Sequence, residues 1–297
     1  MDEFEHIDKK YRQVALLPDK ERISFINQRR WISYPIAVKA IHELKALMDQ
    51  PRQQRMRSAL LVGESNNGKS SIIEKFCDTH GQSIVDEEEE VLKKPALVIE
   101  VSAPKVKDIY ISILEEFWAP FKTTQTESQL RAQAFELMRI CEVKMLIIDE
   151  FHTFLAGTAQ RRANALAELK MISNKLKVPI VGVGTGDAPS VIRNDSQLQS
   201  RFWIMKLPKW KANRDFVQLL SSFEKALPLK QKSNLTEKEL GQRLLEISHG
   251  NLGNLHELLK VCAIEAIHSG TEKIDLEIVE SFSWFTPTRG EREIKLT

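Results

Sequence analysis

Cysteine is scarce in this sequence, and the three present, Cys77, Cys141 and Cys262, lie far apart with no C-x-x-C pair. A disulfide framework is therefore not expected, and with no signal-peptide pattern at the start the setting reads as a reducing cytosol. No apolar run approaches the length of a membrane span, which excludes a membrane partner of the helical kind. The seven histidines show no metal-ligand spacing. Neither sign of charge dominates, with 43 basic against 41 acidic residues, so bulk electrostatics gives no argument for nucleic acid. Any DNA contact has to come from a local basic surface. Internal repeats and low-complexity segments are also missing.

What remains is an ordinary globular composition, 42% hydrophobic and 28% charged over 297 residues. That length allows one substantial core and a small accessory domain. Residues 1–50 begin charged and weakly periodic, then Ile36, Ala40, Leu44 and Leu47 recur at helical spacing from Pro35 toward Pro51. Short apolar runs follow at Ala59–Val62, Ala96–Val101, Lys144–Ile148, Pro179–Val183 and Phe202–Leu207. Helical patterns alternate with them, at Lys69 to about Thr79, Val106–Trp118, Glu127–Glu142 and Ala159–Leu176. This alternation predicts a parallel five-stranded α/β sheet covered by helices on both faces. The acidic run Asp86–Glu90 reads as a solvated loop. After Pro208 the strands stop, and Trp210–Leu227, Thr236–Ser248, Leu252–His268 and Asp275–Phe282 read as helices. The expected organisation is an N-terminal helical segment (1–50), an α/β nucleotide-binding domain (51–208), a helical lid (209–283) and a tail (284–297).

One motif fixes the chemistry. Gly63-Glu64-Ser65-Asn66-Asn67-Gly68-Lys69-Ser70 matches G-x-x-x-x-G-K-[ST], between a predicted strand and a predicted helix. Its glycines let backbone N–H groups curl around a phosphate, and the helix starting near Ser71 presents its positive end. Lys69 is expected to reach the β- and γ-phosphates, and the Ser70 hydroxyl to coordinate Mg²⁺. Mg²⁺ needs carboxylate help as well. Met145-Leu146-Ile147-Ile148-Asp149-Glu150 delivers acids at the carboxyl end of a strand, where open α/β sheets bind ligands. Asp149 would hold the metal, and Glu150 would polarise the water that attacks the γ-phosphate. Thr185, ending the strand Val183-Gly184-Thr185, is placed to sense that phosphate. Arg201, just before the fifth strand, is placed to reach a neighbouring subunit's nucleotide. His152 reads as a local structural residue.

The order phosphate loop, Ile-Ile-Asp-Glu strand, Gly-Thr strand, Ser200-Arg201-Phe202 and helical lid resembles that of AAA+ ATPases. Within them the chain is similar to the TniB group of transposition proteins, related to TnsC. The likeness is carried by Arg30-Trp31-Ile32-Ser33-Tyr34-Pro35, by the phosphate loop, and by Ile148-Asp149-Glu150-Phe151-His152-Thr153-Phe154-Leu155-Ala156-Gly157. Gln197–Phe202 and the tract from Leu207-Pro208 to Pro228-Leu229 add to it. The resemblance implies an ATP- and Mg²⁺-dependent regulator in the bacterial cytoplasm. Such a protein forms homo-oligomeric rings or helical filaments on double-stranded DNA, recruits a DDE transposase of the TniA/TnsB kind, and disassembles on ATP hydrolysis. A TniQ-type target selector is its other implied partner. An initiator or helicase-loader ATPase is the alternative within the same fold, and a P-loop kinase the alternative outside it. One position departs from the pattern: Asn254 stands where many AAA+ lids carry an arginine, and an amide supplies no positive charge.

The basic candidates for a DNA contact are Lys105 and Lys107 after the second strand, with Arg161, Arg162, Lys170, Lys175 and Lys177 along the long helix. Thr123, Thr124 and Thr126 are candidate hydroxyl donors to phosphate. With no recognition helix in sight, sequence-tolerant backbone binding is expected. Trp284 and Phe285 are expected either to pack on the lid or to dock a partner.

Overall fold

The computed structural model describes residues 4–86, 91–193 and 195–281. A 3-10 helix at Lys9–Leu16 leads to α1 (Asp19–Asn27) and α2 (Pro35–Met48). Then come β1 (Ser58–Gly63), α3 (Lys69–His80), β2 (Ile84–Asp86), β3 (Val91–Lys93), β4 (Ala96–Glu100), α4 (Val106–Glu116) and α5 (Glu127–Ile140). They are followed by β5 (Met145–Asp149), a 3-10 helix at Phe151–Leu155, α6 (Ala159–Leu176), β6 (Ile180–Gly184), α7 (Ala188–Ile192), α8 (Ser196–Gln199) and β7 (Phe202–Leu207). The chain ends in α9 (Arg214–Ala226), α10 (Lys238–Ser248), α11 (Leu252–His268) and α12 (Leu276–Ser281). The described residues divide into two compact units, one from the stretches 39–64 and 69–207, the other from 4–38, 65–68 and 208–281.

The first unit is a five-stranded parallel sheet in the order β4-β5-β6-β1-β7. Strands β1 and β6 are buried at every residue, as a parallel sheet covered on both faces requires. The edge strand β7 alternates instead, with Ile204 exposed. Leu97, Leu146, Ile148, Ile113, Leu130, Phe151 and Leu169 are among the core residues that join sheet to helices. Helices α4, α5 and α6 are tied by a polar knot: the buried Tyr110 hydroxyl donates to Glu168, which also accepts from Arg131 Nε at 2.7 Å. Burial first, then the Glu168 contact, pushes the Tyr110 phenol far above its usual range. The short antiparallel pair β2–β3 flanks the acidic run, a hairpin that the charge pattern alone does not announce. Residues 87–90 of that run lie outside the described residues.

The second unit is helical. Here α1 packs against α11, and α10 against the same helix. At its centre Arg22, with no exposed surface, donates to the Pro228 carbonyl through Nε and Nη2 at 3.2 and 3.0 Å. Its Nη1 meets Glu272 at 2.8 Å, and Nη2 takes the other carboxylate oxygen. The segment read as a helix from Trp210 is extended at first. Trp210 donates its N–H to the Gly250 carbonyl, and α9 starts only after Asn213, whose side chain accepts from Phe216 N–H as an N-cap. Among the described residues no helix is long and apolar enough to cross a membrane.

Candidate nucleotide site

In the sheet unit, the site grows from the carboxyl ends of β1, β5 and β6. Gly63 closes β1, Glu64 follows it, and Lys69, Ser70 and Ser71 open α3. Lys69 is buried, and its ammonium donates to the Gly63 and Glu64 carbonyls at 3.0 and 2.8 Å. Burial lowers its pKa, and the charges of Glu150 and Asp149 oppose that drop. The lysine of the phosphate loop therefore feels the acidic pair that ends β5.

The acidic pair is shaped by its backbone. Asp149 Oδ1 accepts the Glu150 N–H at 2.8 Å. Glu150 itself sits in the left-handed region, with φ 50°, where the strand turns into the 3-10 helix. Such a conformation costs a non-glycine residue about 1 kcal/mol and gathers at functional sites. Beyond it, Phe151 is buried against Gly182: a Cβ on that glycine would stand 2.7 Å from Phe151 Cγ and 2.6 Å from Leu60 Cδ2. His152 Nδ1 lies 3.2 Å from Glu150 Oε2. Just after β6, the Thr185 hydroxyl oxygen is buried with no hydrogen-bond partner among the described residues. Arg201 donates from Nη1 to Asn174 Oδ1 at 2.9 Å, and its carbonyl accepts from Ser58 N–H.

In the helical unit, the tip of the phosphate loop, Ser65–Gly68, is held by the start of α11. Asn251 Nδ2 donates to the Ser65 carbonyl at 2.9 Å, Gly253 N–H to the Asn66 carbonyl at 2.9 Å, and Leu252 N–H to Asn67 Oδ1 at 3.2 Å. Asn67 in turn donates to the Pro208 carbonyl at 3.3 Å. The tip bends through two left-handed residues, Asn66 and Gly68, with φ 58° and 85°. Gly68 is required on steric grounds too, since a Cβ there would meet Leu252 Cδ2 at 2.8 Å and Tyr34 Oη at 3.0 Å. Asn254, in the position noted for lacking an arginine, is buried and donates from Nδ2 to the Ser248 carbonyl at 3.2 Å. It ties α11 to the end of α10.

The residues singled out for DNA separate into two kinds. Lys107, in the first turn of α4, donates to the Thr123 carbonyl in the loop before α5. Lys105 caps α4 and lies 3.9 Å from Asp108, and Thr123 and Thr124 are exposed. Thr126 instead serves α5, its hydroxyl accepting from Gln129 N–H while Gln129 Oε1 accepts from Thr126 N–H, a full capping box. Threonine three residues before a glutamine was the signal for it. On α6, Lys170 is paired with Asp195 at 2.8 Å. Trp284 and Phe285 lie outside the described residues.

A phosphate loop after β1 and an acidic pair after β5, on a sheet ordered β4-β5-β6-β1-β7, define an AAA+ nucleotide-binding fold. Solved structures agree on that fold. The Aeropyrum pernix ORC2 protein in its ADPNP–ADP complexes is similar, with TM-score 0.61 and 14% identity, over 86% of this chain and 70% of that one. Pyrobaculum aerophilum Cdc6p gives 0.60 and 15%, over 87% and 69%. The Aeropyrum pernix ORC1 protein in complex with DNA gives 0.51 and 14%, over 88% and 68%. No curated protein sequence matches the chain. A family model described as bacterial TniB protein matches residues 22–212, and the chain belongs to the TniB family.

Proposed function

We propose that this chain is an ATPase whose nucleotide state governs its assembly on double-stranded DNA, in the service of transposition. The observation that carries the ATPase reading is the buried Lys69 ammonium under the influence of the Asp149–Glu150 pair. With ATP in the loop, Lys69 exchanges the Gly63 and Glu64 carbonyls for β- and γ-phosphate oxygens. Ser70 and Asp149 are the oxygen donors that would hold Mg²⁺, a hard cation that usually combines one or two carboxylates with substrate phosphates. Among the described residues no three His, Cys, Asp or Glu side chains form a cage of their own, which suits an ion completed by the nucleotide. Once bound, Mg²⁺ neutralises charge on the phosphates. Glu150 takes a proton from water as its oxygen bonds to the γ-phosphorus, and the bond to the bridging oxygen breaks to release ADP. The orphaned Thr185 hydroxyl gains a partner when a phosphate oxygen or that water arrives, recovering about 1–3 kcal/mol of unmet hydrogen bonding. Arg201 acts on the neighbouring subunit's γ-phosphate.

For the DNA half, Lys105, Lys107 and the exposed Thr123 are the residues we assign to backbone contacts, and the bond from Lys107 to the Thr123 carbonyl supports treating the last two together. Repeated along an oligomer, even two phosphate contacts per subunit give large avidity and steep salt dependence. Membership of the TniB family supports a DDE transposase and a TniQ-type selector as the protein partners. The likeness to the ORC and Cdc6 structures is one of fold, and no motif here favours helicase loading over transposition. The test is electron microscopy of the protein with duplex DNA and a non-hydrolysable ATP analogue. Rings or filaments on DNA are expected with the analogue and not with ADP; a protein that stays monomeric on DNA with the analogue refutes the reading.

A further inference from the structure

His152 stands beside the carboxylate the hydrolytic reading depends on. Its Nδ1 is 3.2 Å from Glu150 Oε2, within ion-pair reach but without a completed hydrogen bond, and the atom is buried with no other partner among the described residues. A buried ring nitrogen without a partner is costly, and the nearest acid is the Glu150 carboxylate. The same nitrogen also lies near the end of β6. A Cβ on Gly184 would stand 3.5 Å from Nδ1 and 3.3 Å from the His152 backbone nitrogen. Glycine at 184 thus lets the end of β6 lie against the His152 backbone and the Ala188 methyl, with Nδ1 in ordinary contact, one residue before Thr185. The ring is fixed from below by the 3-10 helix Phe151–Leu155, which is anchored by two fully buried phenylalanines, Phe151 and Phe154.

We infer that His152 is the positioning residue for Glu150. With its proton on Nδ1, it holds Oε2 of the carboxylate and leaves Oε1 to face the attacking water. This rests on the hydrolytic role of Glu150 proposed above. Glu150 needs such a partner because its carboxylate is half exposed, with 47% of the side chain open, and otherwise has several rotamers to choose from. A general base displaced by about 1 Å loses on the order of a hundredfold in rate. When the carboxylate swings to complete the bond, the cost of the unmet nitrogen is recovered in the same movement. Gly184, which Nδ1 approaches, is the residue before the proposed γ-phosphate sensor Thr185.

The test uses the full-length protein with ATP and duplex DNA. The Nδ2 of asparagine matches the place of Nδ1, whereas glutamine matches that of Nε2. His152→Ala and His152→Gln are therefore expected to lower kcat about tenfold to a hundredfold with KM and the Kd for a fluorescent ATP analogue unchanged. His152→Asn is expected to restore most of kcat. Wild-type kcat in His152→Ala and His152→Gln overturns the inference, as does an asparagine variant as slow as the alanine one. Glu150→Gln separates the two levels: if it hydrolyses ATP as fast as wild type, the hydrolytic reading itself is what fails.

Discussion

The Arg22 guanidinium, fully buried, spans both carboxylate oxygens of Glu272, tying α1 to the turn after α11. Removing one partner of a buried pair leaves the other uncompensated, which typically costs 3–5 kcal/mol. Arg22→Met is expected to lower stability by about 3 kcal/mol, or Tm by roughly 6 °C. Calorimetry of Arg22→Met, Glu272→Gln and the double variant checks this: the double should lose clearly less than the two singles added together.

The same pair has an acid limb. Burial on its own would raise the Glu272 carboxyl, but hydrogen bonds from Arg22 and from the Lys230 N–H outweigh it and hold the group below the usual glutamate range. The folded state then binds fewer protons than the unfolded one at mildly acid pH. Its contribution is complete above the unfolded pKa and declines as pH falls through that value toward the lowered one. Denaturant melts at pH 7, 5 and 4 should show a loss of stability that Glu272→Gln largely removes.

Gly182 offers a probe of the acidic pair from beneath. An added methyl would be 2.6 Å from Leu60 Cδ2 and 2.7 Å from Phe151 Cγ, inside a packed layer with no room to yield. Gly182→Ala should destabilise the protein by about 1–3 kcal/mol. Because Phe151 adjoins Glu150, the expected result is also a lower kcat at temperatures where the variant is still folded by circular dichroism.

Arg201 is held on the surface of its own unit by one bond to Asn174. If it serves the next subunit, Arg201→Ala should lower hydrolysis about a thousandfold or more while ATP binding persists. Mixing Arg201→Ala with Glu150→Gln protein should recover activity, because some interfaces then pair an intact Glu150 with an intact Arg201. Absence of recovery in an assembled mixture would place the arginine's action within one chain.

Much of the architecture was legible because parallel strands are read as short apolar runs, and the phosphate loop punctuates the first of them. The acidic pair was legible for the same reason, as the end of a buried strand. Other features had no local signature. The 3-10 helix Lys9–Leu16 and α1 lack strong periodicity, since their packing depends on a buried arginine whose partner is Glu272, 250 residues away. The β2–β3 hairpin is hidden by the charges beside it. Asn213 caps the true start of α9, while the apolar Trp210 draws the predicted helix four residues too early. The sequence reads His152 as a local structural residue, and nothing in its neighbourhood tells that its ring nitrogen stands 3.2 Å from Glu150 Oε2.

The tip of the phosphate loop groups with the helical unit, through Asn251, Leu252 and Gly253, more than with the strand it leaves. A side chain at position 253 would collide with that of Asn66, its Cβ only 2.1 Å from Oδ1. Positions 66 and 253, so distant in sequence, thereby share one small space. Within the family they should covary, any bulk gained at 253 being answered by a smaller residue at 66.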